Sequence, residues 1–191
     1  MGRITAEFER LKAAGKTGLV MYVTVGFPNL AETPALVQAA IAGGADIIEL
    51  RDHLLRRGFG RDHCAVIAKI ERPEALAAIE DILAEADGLM VARGDLGVEL
   101  PLHDVPRIQR DLLTRCNRVG KPAITATQML ESMIESSSPT RAEASDVANA
   151  VWDGSSAVML SAETAVGVDP INVVKTMHRI VRRADEAFDY A

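Results

Sequence analysis

Residues 65–92, AVIAKIERPEALAAIEDILAEADGLMVA, hold two short apolar runs with an amphipathic segment between them. The runs Ala65–Ile70 and Gly88–Ala92 are rich in Val, Ile, Leu and Met, a composition typical of buried strands. The segment between them, Pro73–Ala86, opens with proline and carries apolar side chains on one helical face. A strand, a helix and a second strand at this separation indicate a right-handed parallel crossover.

The same unit recurs along the chain, so we predict an α/β protein. The other apolar runs are Gly18–Thr24, Ala45–Leu50, Ala123–Ala126 and Ala157–Ser161, and the other helical patterns are Thr5–Ala14, Pro34–Ala42, Val105–Arg118, Arg141–Trp152 and Pro170–Phe188. No Gly-x-Gly-x-x-Gly motif follows the first strand and no Walker loop occurs, which disfavours a nucleotide-binding doubly wound sheet. The pattern predicts a TIM-barrel-like parallel (βα) repeat of about six strand–helix units, shorter than the eight-unit barrel. Because no linker or compositional break divides the chain, residues 1–191 are predicted to form a single domain.

Composition limits the classes of partner that the chain is expected to bind and the cellular compartment in which it is expected to lie. Lys and Arg number 21 against 27 Asp and Glu, and a net charge of −6 argues against nucleic acid and membrane surfaces as partners. The longest apolar runs are far too short to span a membrane. The two cysteines, Cys64 and Cys116, form no CxxC pair, and the polar start shows no secretory signal, so we predict free thiols and a reducing, cytoplasmic compartment.

Polar side chains follow four of the predicted strands. Function in parallel barrels lies where strands end and loops begin. The strand ends read Lys69-Ile70-Glu71, Arg93-Gly94-Asp95, Thr125-Ala126-Thr127-Gln128 and Ser161-Ala162-Glu163-Thr164. Four consecutive strands therefore place polar groups at one edge.

Glu71 and Asp95 end neighbouring strands, and two carboxylates with open positions suit Mg²⁺ or Mn²⁺ together with a small anionic substrate. Lys69 lies two residues before Glu71 and so shares its side of the strand, where an ammonium can neutralise a phosphoryl group or an enolate. Gly94 allows close approach of the backbone to a ligand, and Thr127 offers a hydroxyl for substrate binding or proton relay. Simpler interpretations stay open: an ion pair between Lys69 and Glu71, a helix cap at Asp95, and a cap or strand hydroxyl at Thr127.

Several stretches resemble pyruvate kinase in that family's order and spacing. They are Ile67–Glu71, Met90–Glu99, Ala126–Met133, Pro139–Glu143 with Asp146–Val151, and Met159–Ala165, and the resemblance covers about residues 54–184 of a predicted segment 54–191. The resemblance implies that Glu71 and Asp95 bind the divalent metal and that Lys69 stabilises phosphoryl transfer from phosphoenolpyruvate.

The same resemblance implies further roles at this edge. The backbone at Gly94 and Asp95 would hold the substrate carboxylate, and Thr127 would lie in the proton path to the enolpyruvate carbon. Ser161 and Glu163 would bind substrate at the rim of the site. The stretches that would bring the monovalent-cation ligands are absent, so that cation site is expected to be lost.

Residues 1–50 resemble a different family, the tryptophan synthase alpha subunit. The resemblance is carried by Met21–Gly26 with Pro28, and by Ala42–Leu50. It implies that Glu49, at a strand end, is a catalytic acid or base. The loop expected to supply the second catalytic carboxylate is replaced by Arg51-Asp52-His53-Leu54.

Together the two resemblances predict a chimeric, engineered barrel scaffold that keeps a partial pyruvate kinase site and has little or no native turnover. Two alternatives stay open: an active pyruvate kinase-type phosphotransferase, and a tryptophan synthase alpha-type lyase acting through Glu49. If six strands fail to close, open barrel edges would favour a homo-oligomer.

Overall fold

The described part of the chain, Met21–Thr24 and residues 65–187, contains a parallel five-stranded sheet covered by helices. We analysed it in a computed structural model. The strands are β1 (Met21–Thr24), β2 (Val66–Ile70), β3 (Gly88–Ala92), β4 (Ala123–Ala126) and β5 (Ala157–Met159). Their spatial order is β1-β2-β3-β4-β5, and every neighbouring pair is parallel.

The register of the sheet aligns the carboxyl ends of the strands. Ile70 pairs with Val91, and Ala92 pairs with Ala126. The residues that follow β2, β3 and β4 therefore leave the sheet at a common edge. This alignment, which the sequence predicted, brings together polar groups separated by tens of residues in the chain.

Seven helices lie in residues 65–187. They are α1 (Pro73–Ala77), α2 (Ile79–Glu85), α3 (Arg93–Glu99), α4 (Val105–Arg118), α5 (Arg141–Trp152), α6 (Ala162–Ala165) and α7 (Pro170–Glu186), with short 3₁₀ turns at Leu102–Asp104 and Glu131–Ile134. The predicted helices Val105–Arg118 and Arg141–Trp152 are confirmed to the residue. The single helix predicted over Pro73–Ala86 is wrong, because Ala78 leaves the helical region at φ −103° and ψ 18° and separates α1 from α2. The sequence also gave no signal for α3, which follows β3 without a loop.

The two faces of the sheet pack differently. The helix-covered face holds the larger cluster, in which Val66, Ala68 and Ile70 pack with residues of β3, α2 and α4. The opposite face is built from Ile67, Met90 and Ala126. Since side chains alternate along a strand, Lys69 lies on the same face as Ile67, away from the covering helices.

A third cluster supports the far end of the sheet. It joins the segment after β4 to α5 and α7 through the buried residues Met129, Leu130, Met133, Val147, Ala150, Val173 and Met177. Aliphatic and methionine side chains fill this space with no polar atom to satisfy. The cluster anchors the backbone that follows Thr127.

The α/β class and the parallel sheet are confirmed, whereas the count of six units and the shortening stay predictions. The predicted strand Ala45–Leu50 and the helices predicted over Thr5–Ala14 and Pro34–Ala42 lie outside the described residues. Among the described strands, β1 (Met21–Thr24) pairs directly with β2. No helix in the described residues is long and apolar enough to cross a bilayer.

Candidate active site

Lys69 lies between two carboxylates at the carboxyl edge of the sheet. Its ammonium forms an ion pair with Glu71, and its Nζ is 3.1 Å from Oδ2 of Asp95. The Lys69 and Glu71 side chains are mostly buried, at 28% and 15% exposure, whereas that of Asp95 is 52% exposed. The structure therefore brings the three residues predicted as catalytic and metal-binding into one cluster that opens to solvent on the Asp95 side.

Local structure explains why these groups meet. Lys69 is the fourth residue of β2, and Glu71 directly follows the strand, so both project to the same face. Asp95 lies in the first turn of α3, which begins immediately after the neighbouring strand β3. A carboxylate is favoured in the first turn of a helix by the partial positive charge of the helix amino end.

The donors of this cluster fit a hard divalent cation. Glu71 and Asp95 offer carboxylate oxygens, the ligands that Mg²⁺ and Mn²⁺ prefer. No group of three or more His, Cys, Asp or Glu side chains suited to a metal occurs within residues 65–187. A metal bound here would thus take two protein carboxylates, with water or substrate oxygens completing the shell, and Lys69 would be displaced from one or both oxygens.

Gly94 and Thr127 join the loop after β4 to the start of α3. The backbone N–H of Gly94 donates a hydrogen bond of 2.8 Å to Oγ1 of Thr127. A Cβ at position 94 would lie 3.2 Å from the same oxygen, a tight contact that favours glycine. Because Oγ1 accepts from Gly94, the hydroxyl proton of Thr127 is free to be donated elsewhere.

The backbone at Thr127 and Gln128 adopts an unusual conformation. Their φ angles are +69° and +53°, and in the described residues only glycines otherwise show positive φ. A β-branched threonine in this region is a genuine outlier. Each such residue costs on the order of 1–3 kcal/mol and persists only when its surroundings impose it.

Arg93 supplies much of that constraint. Its Nη2 donates to the carbonyl oxygens of Thr127 at 2.7 Å and Gln128 at 3.3 Å. Its Nη1 lies 2.7 Å from each carboxylate oxygen of Asp146 on α5. The sequence placed Arg93 among the polar groups at the strand ends but gave it no role; the available signal was its position directly before the predicted site residues Gly94 and Asp95.

Ser161 and Glu163 lie where β5 gives way to α6. Glu163 is 2% exposed, and its Oε1 accepts from the Leu130 amide at 3.2 Å while its Oε2 accepts from the Ser161 amide at 2.7 Å. Both carboxylate oxygens are thereby directed to backbone amides, which links the segments after β4 and β5. This geometry favours a positioning role for Glu163, and substrate binding by Ser161 and Glu163 stays a prediction.

Two further residues considered from the sequence are Glu49 and Cys116. Glu49 is outside the described residues, so its predicted acid–base role stays a prediction. Cys116 on α4 is fully buried, and burial raises the pKa of its thiol to about 11, partly countered by Lys121. A thiol with a raised pKa is a poor nucleophile at neutral pH. Cys116 is a buried free thiol, as the sequence predicted.

A groove of about 650 Å³ runs between α4 and α5, beside the cluster rather than over it. Among its lining residues are Arg93, Gln128 and Asp146, but not Lys69, Glu71 or Asp95. The groove therefore borders the candidate site through Arg93, its partner Asp146 and Gln128 of the positive-φ turn. The candidate site is therefore the carboxylate cluster, where two carboxylates and an ammonium meet.

Comparison with known proteins assigns the family. The profile described as "Pyruvate kinase, barrel domain" matches residues 32–174. The chain belongs to the pyruvate kinase barrel-domain family. The matched range contains the whole carboxylate cluster, the strained turn and Glu163.

Curated pyruvate kinases share high identity with this chain over a limited length. The chain is 56% identical over 146 residues to pyruvate kinase of Geobacillus stearothermophilus, covering 76% of this chain and 24% of the relative. It is 64% identical over 120 residues to that of Corynebacterium efficiens, covering 63% and 25%. For Agrobacterium vitis the identity is 52% over 140 residues, covering 73% and 29%. The chain thus spans about a quarter of the length of these relatives.

These comparisons confirm the predicted pyruvate kinase resemblance. The profile match begins at residue 32 and so overlaps the end of the segment 1–50 that was predicted to resemble the tryptophan synthase alpha subunit. The tryptophan synthase resemblance, the segments 1–50 and 54–191, and the chimeric or engineered origin stay predictions.

Proposed function

We propose that this chain carries a partial pyruvate kinase site, which binds a divalent cation with a small anionic substrate of the phosphoenolpyruvate or pyruvate class. The observation that carries the proposal is the contact of the Lys69 ammonium with both the Glu71 and Asp95 carboxylates at one edge of the sheet. Membership of the pyruvate kinase barrel family supports the same assignment.

Glu71 and Asp95 would hold Mg²⁺ or Mn²⁺. The bound ion would supply positive charge that orients the anionic substrate and stabilises charge on the transferring or enolate oxygen. Lys69 adds a second positive charge beside it and can follow the negative charge as it moves during phosphoryl transfer.

The remaining groups orient the substrate and move a proton. The backbone at the amino end of α3, around Gly94 and Asp95, can hold a substrate carboxylate. The Thr127 hydroxyl is oriented by the Gly94 N–H, so its proton can be donated toward the enolpyruvate carbon. These roles use only groups that lie at the carboxyl edge of β2, β3 and β4.

Binding without efficient turnover is the outcome we propose for this chain. Phosphoryl transfer also needs a nucleotide to be positioned and water to be excluded from the reacting phosphate. None of the groups in the described cluster performs either task. A working phosphotransferase is the second candidate, favoured by the identity of 56% to a curated pyruvate kinase.

The test is a Mn²⁺ titration with and without oxalate, an enolpyruvate analogue. Glu71→Gln and Asp95→Asn are each expected to weaken Mn²⁺ binding at least about tenfold, the usual effect of removing a charged metal ligand or its close support. Glu80→Gln is the matched control, because Glu80 is an exposed carboxylate on α2 that pairs with Arg115 instead. Unchanged Mn²⁺ affinity in both site variants would refute the proposal.

Turnover is measured separately as ADP-dependent formation of pyruvate. Clear metal-dependent turnover that disappears in Lys69→Met would establish the phosphotransferase in place of the binding site alone. Oxalate and Mn²⁺ binding without pyruvate formation is the expected result.

A further inference from the structure

Arg93 ties two helices, α3 and α5, to one turn. Its backbone begins α3, its Nη2 donates to the Thr127 and Gln128 carbonyls, and its Nη1 binds the Asp146 carboxylate on α5. The Arg93 side chain is 11% exposed, so its guanidinium is largely buried, whereas the Asp146 side chain is 37% exposed. Charge-assisted bonds of this kind are among the stronger polar interactions in proteins.

The turn that Arg93 holds also sets the orientation of the Thr127 hydroxyl. Thr127 and Gln128 both have positive φ, and the chain has glycine at neither position to accept it at low cost. Without donors to the two carbonyls, the backbone would relax toward negative φ. Such relaxation would rotate the Thr127 side chain away from Gly94.

A second bond closes the arrangement. The Gly94 N–H donates to Oγ1 of Thr127, while Arg93, the residue just before, donates to the Thr127 carbonyl. Consecutive residues of α3 thus hold the side chain and the backbone of the same threonine. The threonine is therefore fixed relative to Gly94 and Asp95, not merely to its own strand.

We propose that Arg93 is a positioning residue, which acts through the left-handed Thr127–Gln128 turn to hold the threonine hydroxyl over the substrate. The proposal rests on the proposed function for the identity of the substrate, but the geometry it describes is independent of any ligand. Asp146 shares the role, because its carboxylate sets the direction of the guanidinium.

The competing explanation is that Arg93 and Asp146 form an ordinary stabilising ion pair between α3 and α5. Stability measurements alone would not separate the two, because either role lowers stability when the pair is removed. A useful readout must report on the turn itself or on substrate binding at constant metal affinity.

Amide and coupling measurements by NMR on the full chain read the turn directly. In Arg93→Met we expect the φ-sensitive couplings of Thr127 and Gln128 to move toward ordinary negative φ, and the Gly94 amide resonance to shift as its bond to Oγ1 is lost. Arg93→Lys should restore these signals in part, since lysine keeps the charge but not the planar fork. Arg110→Lys is the matched control, because the Arg110 guanidinium pairs with Asp153 and not with the carbonyls of the turn.

Ligand binding gives the second readout. Arg93→Met is expected to weaken oxalate binding in saturating Mn²⁺ by about 10- to 100-fold, the usual consequence of misplacing a site group by about 1 Å. Mn²⁺ binding without oxalate should stay near the wild-type value. If pyruvate formation is measurable, we expect Arg93→Met to lower kcat while the KM for the metal stays close to the wild-type value.

The double variant Arg93→Met with Gln128→Gly sharpens the test. Glycine at position 128 removes the penalty of positive φ at one of the two strained residues, so part of the lost oxalate affinity should return. An ion pair that serves stability alone predicts no such recovery. If Arg93→Met does not fold, Asp146→Asn and Arg93→Lys provide milder weakening of the same clamp.

The outcomes separate this proposal from the proposed function. Wild-type couplings at Thr127, an unshifted Gly94 amide and unchanged oxalate affinity in Arg93→Met would overturn the positioning role. If the wild-type chain binds no oxalate with Mn²⁺, the proposed function fails, whereas the couplings and the Gly94 amide still decide whether Arg93 holds the turn.

Discussion

Single residues at this sheet edge hold conformations that their own chemistry disfavours. Thr127 adopts positive φ although its branched side chain disfavours that conformation. The guanidinium of Arg93 is largely removed from solvent and donates to the Thr127 carbonyl. Strain that is imposed by surrounding contacts is a common property of functional positions. The residue scale therefore gives a structural argument in favour of the proposed site at this edge.

Gly88, the first residue of β3, lies where there is no room for a side chain. A Cβ there would lie 2.6 Å from the Pro122 carbonyl oxygen and 2.8 Å from Cδ1 of Ile67. The carbonyl belongs to the backbone and cannot rotate away. We predict that Gly88→Ala lowers the free energy of unfolding by about 1–3 kcal/mol, the usual cost of overpacking.

Urea unfolding measures this loss, and Gly97→Ala is the matched control. At position 97 the nearest atom to a new Cβ is Cδ1 of Leu102, at 3.3 Å on an exposed and flexible side chain. The expected cost there is smaller, and the helical setting favours alanine over glycine. Equal stability of Gly88→Ala and the wild type would contradict the prediction.

At the scale of elements, Glu143 joins the amino end of α5 to the 3₁₀ turn after β4. Thr140 and Glu143 form a capping box, and Glu143 also accepts bonds from the backbone and the hydroxyl of Ser132 at 2.7 and 2.5 Å. Burial alone would raise the pKa of Glu143, but the bonds from Ser132 and Thr140 outweigh it and lower that pKa below its ordinary value. The carboxylate thus holds α5, and with it Asp146, against the segment that continues from Thr127.

The lowered pKa of Glu143 predicts a pH dependence of stability. Since the folded state favours the charged form, the stabilisation is present above the ordinary pKa of 4.5 and is lost as the pH falls below that value through the folded pKa. We expect Glu143→Gln to be less stable than the wild type at pH 7 by on the order of 1 kcal/mol. This difference should shrink as the pH approaches 3.

Urea midpoints for the two proteins across this range provide the measurement. Glu135→Gln, at an exposed position of the neighbouring loop, serves as the control and should show little change at either pH. A stability difference for Glu143→Gln that grows on acidification would refute the assigned charge state.

At the scale of the whole molecule, the strands that the structure describes form one sheet that runs from β1 to β5. If β1 or β5 lies at an open edge, as the sequence predicts for a barrel that does not close, its backbone groups would be offered to other chains. Apolar side chains in the segment after β5 would also favour association, since Val166, Val168 and Ile171 are each at least 67% exposed. Association through open edges stays a prediction.

We predict that the chain self-associates and that proline at the β5 edge reduces association. Ser156 donates its N–H to the Ala123 carbonyl on β4, so by alternation the N–H of Ala157 points away from β4. Ala157→Pro therefore removes an outward donor at the first residue of a strand, where proline is tolerated. Sedimentation over a range of concentrations should show a lower average mass for the variant, with circular dichroism unchanged.

The control is Thr164→Ala on α6, which leaves the backbone of β5 intact and should associate like the wild type. A wild-type chain that stays monomeric at every concentration would contradict the prediction. So would a variant whose mass distribution equals that of the wild type.

The sequence by itself determined several of the elements and most of the cluster. Apolar runs at strand length and proline-led helical patterns predicted β3, β4, α4 and α5 to the residue, because burial and helix starts leave local signals. Lys69, Glu71, Asp95, Gly94 and Thr127 were found because parallel strands end at one edge, so a polar residue just past each strand can be placed there without coordinates.

Only the tertiary structure decided how these groups are held. The direct pairing of β1 with β2, the break at Ala78 and the burial of Glu163 depend on packing between distant segments, which no local pattern encodes. Arg93 shows the reason most clearly: its partners Thr127 and Asp146 lie 34 and 53 residues away. Positive φ at Thr127 has no sequence signature, because the threonine opposes it and only contacts across the fold impose it.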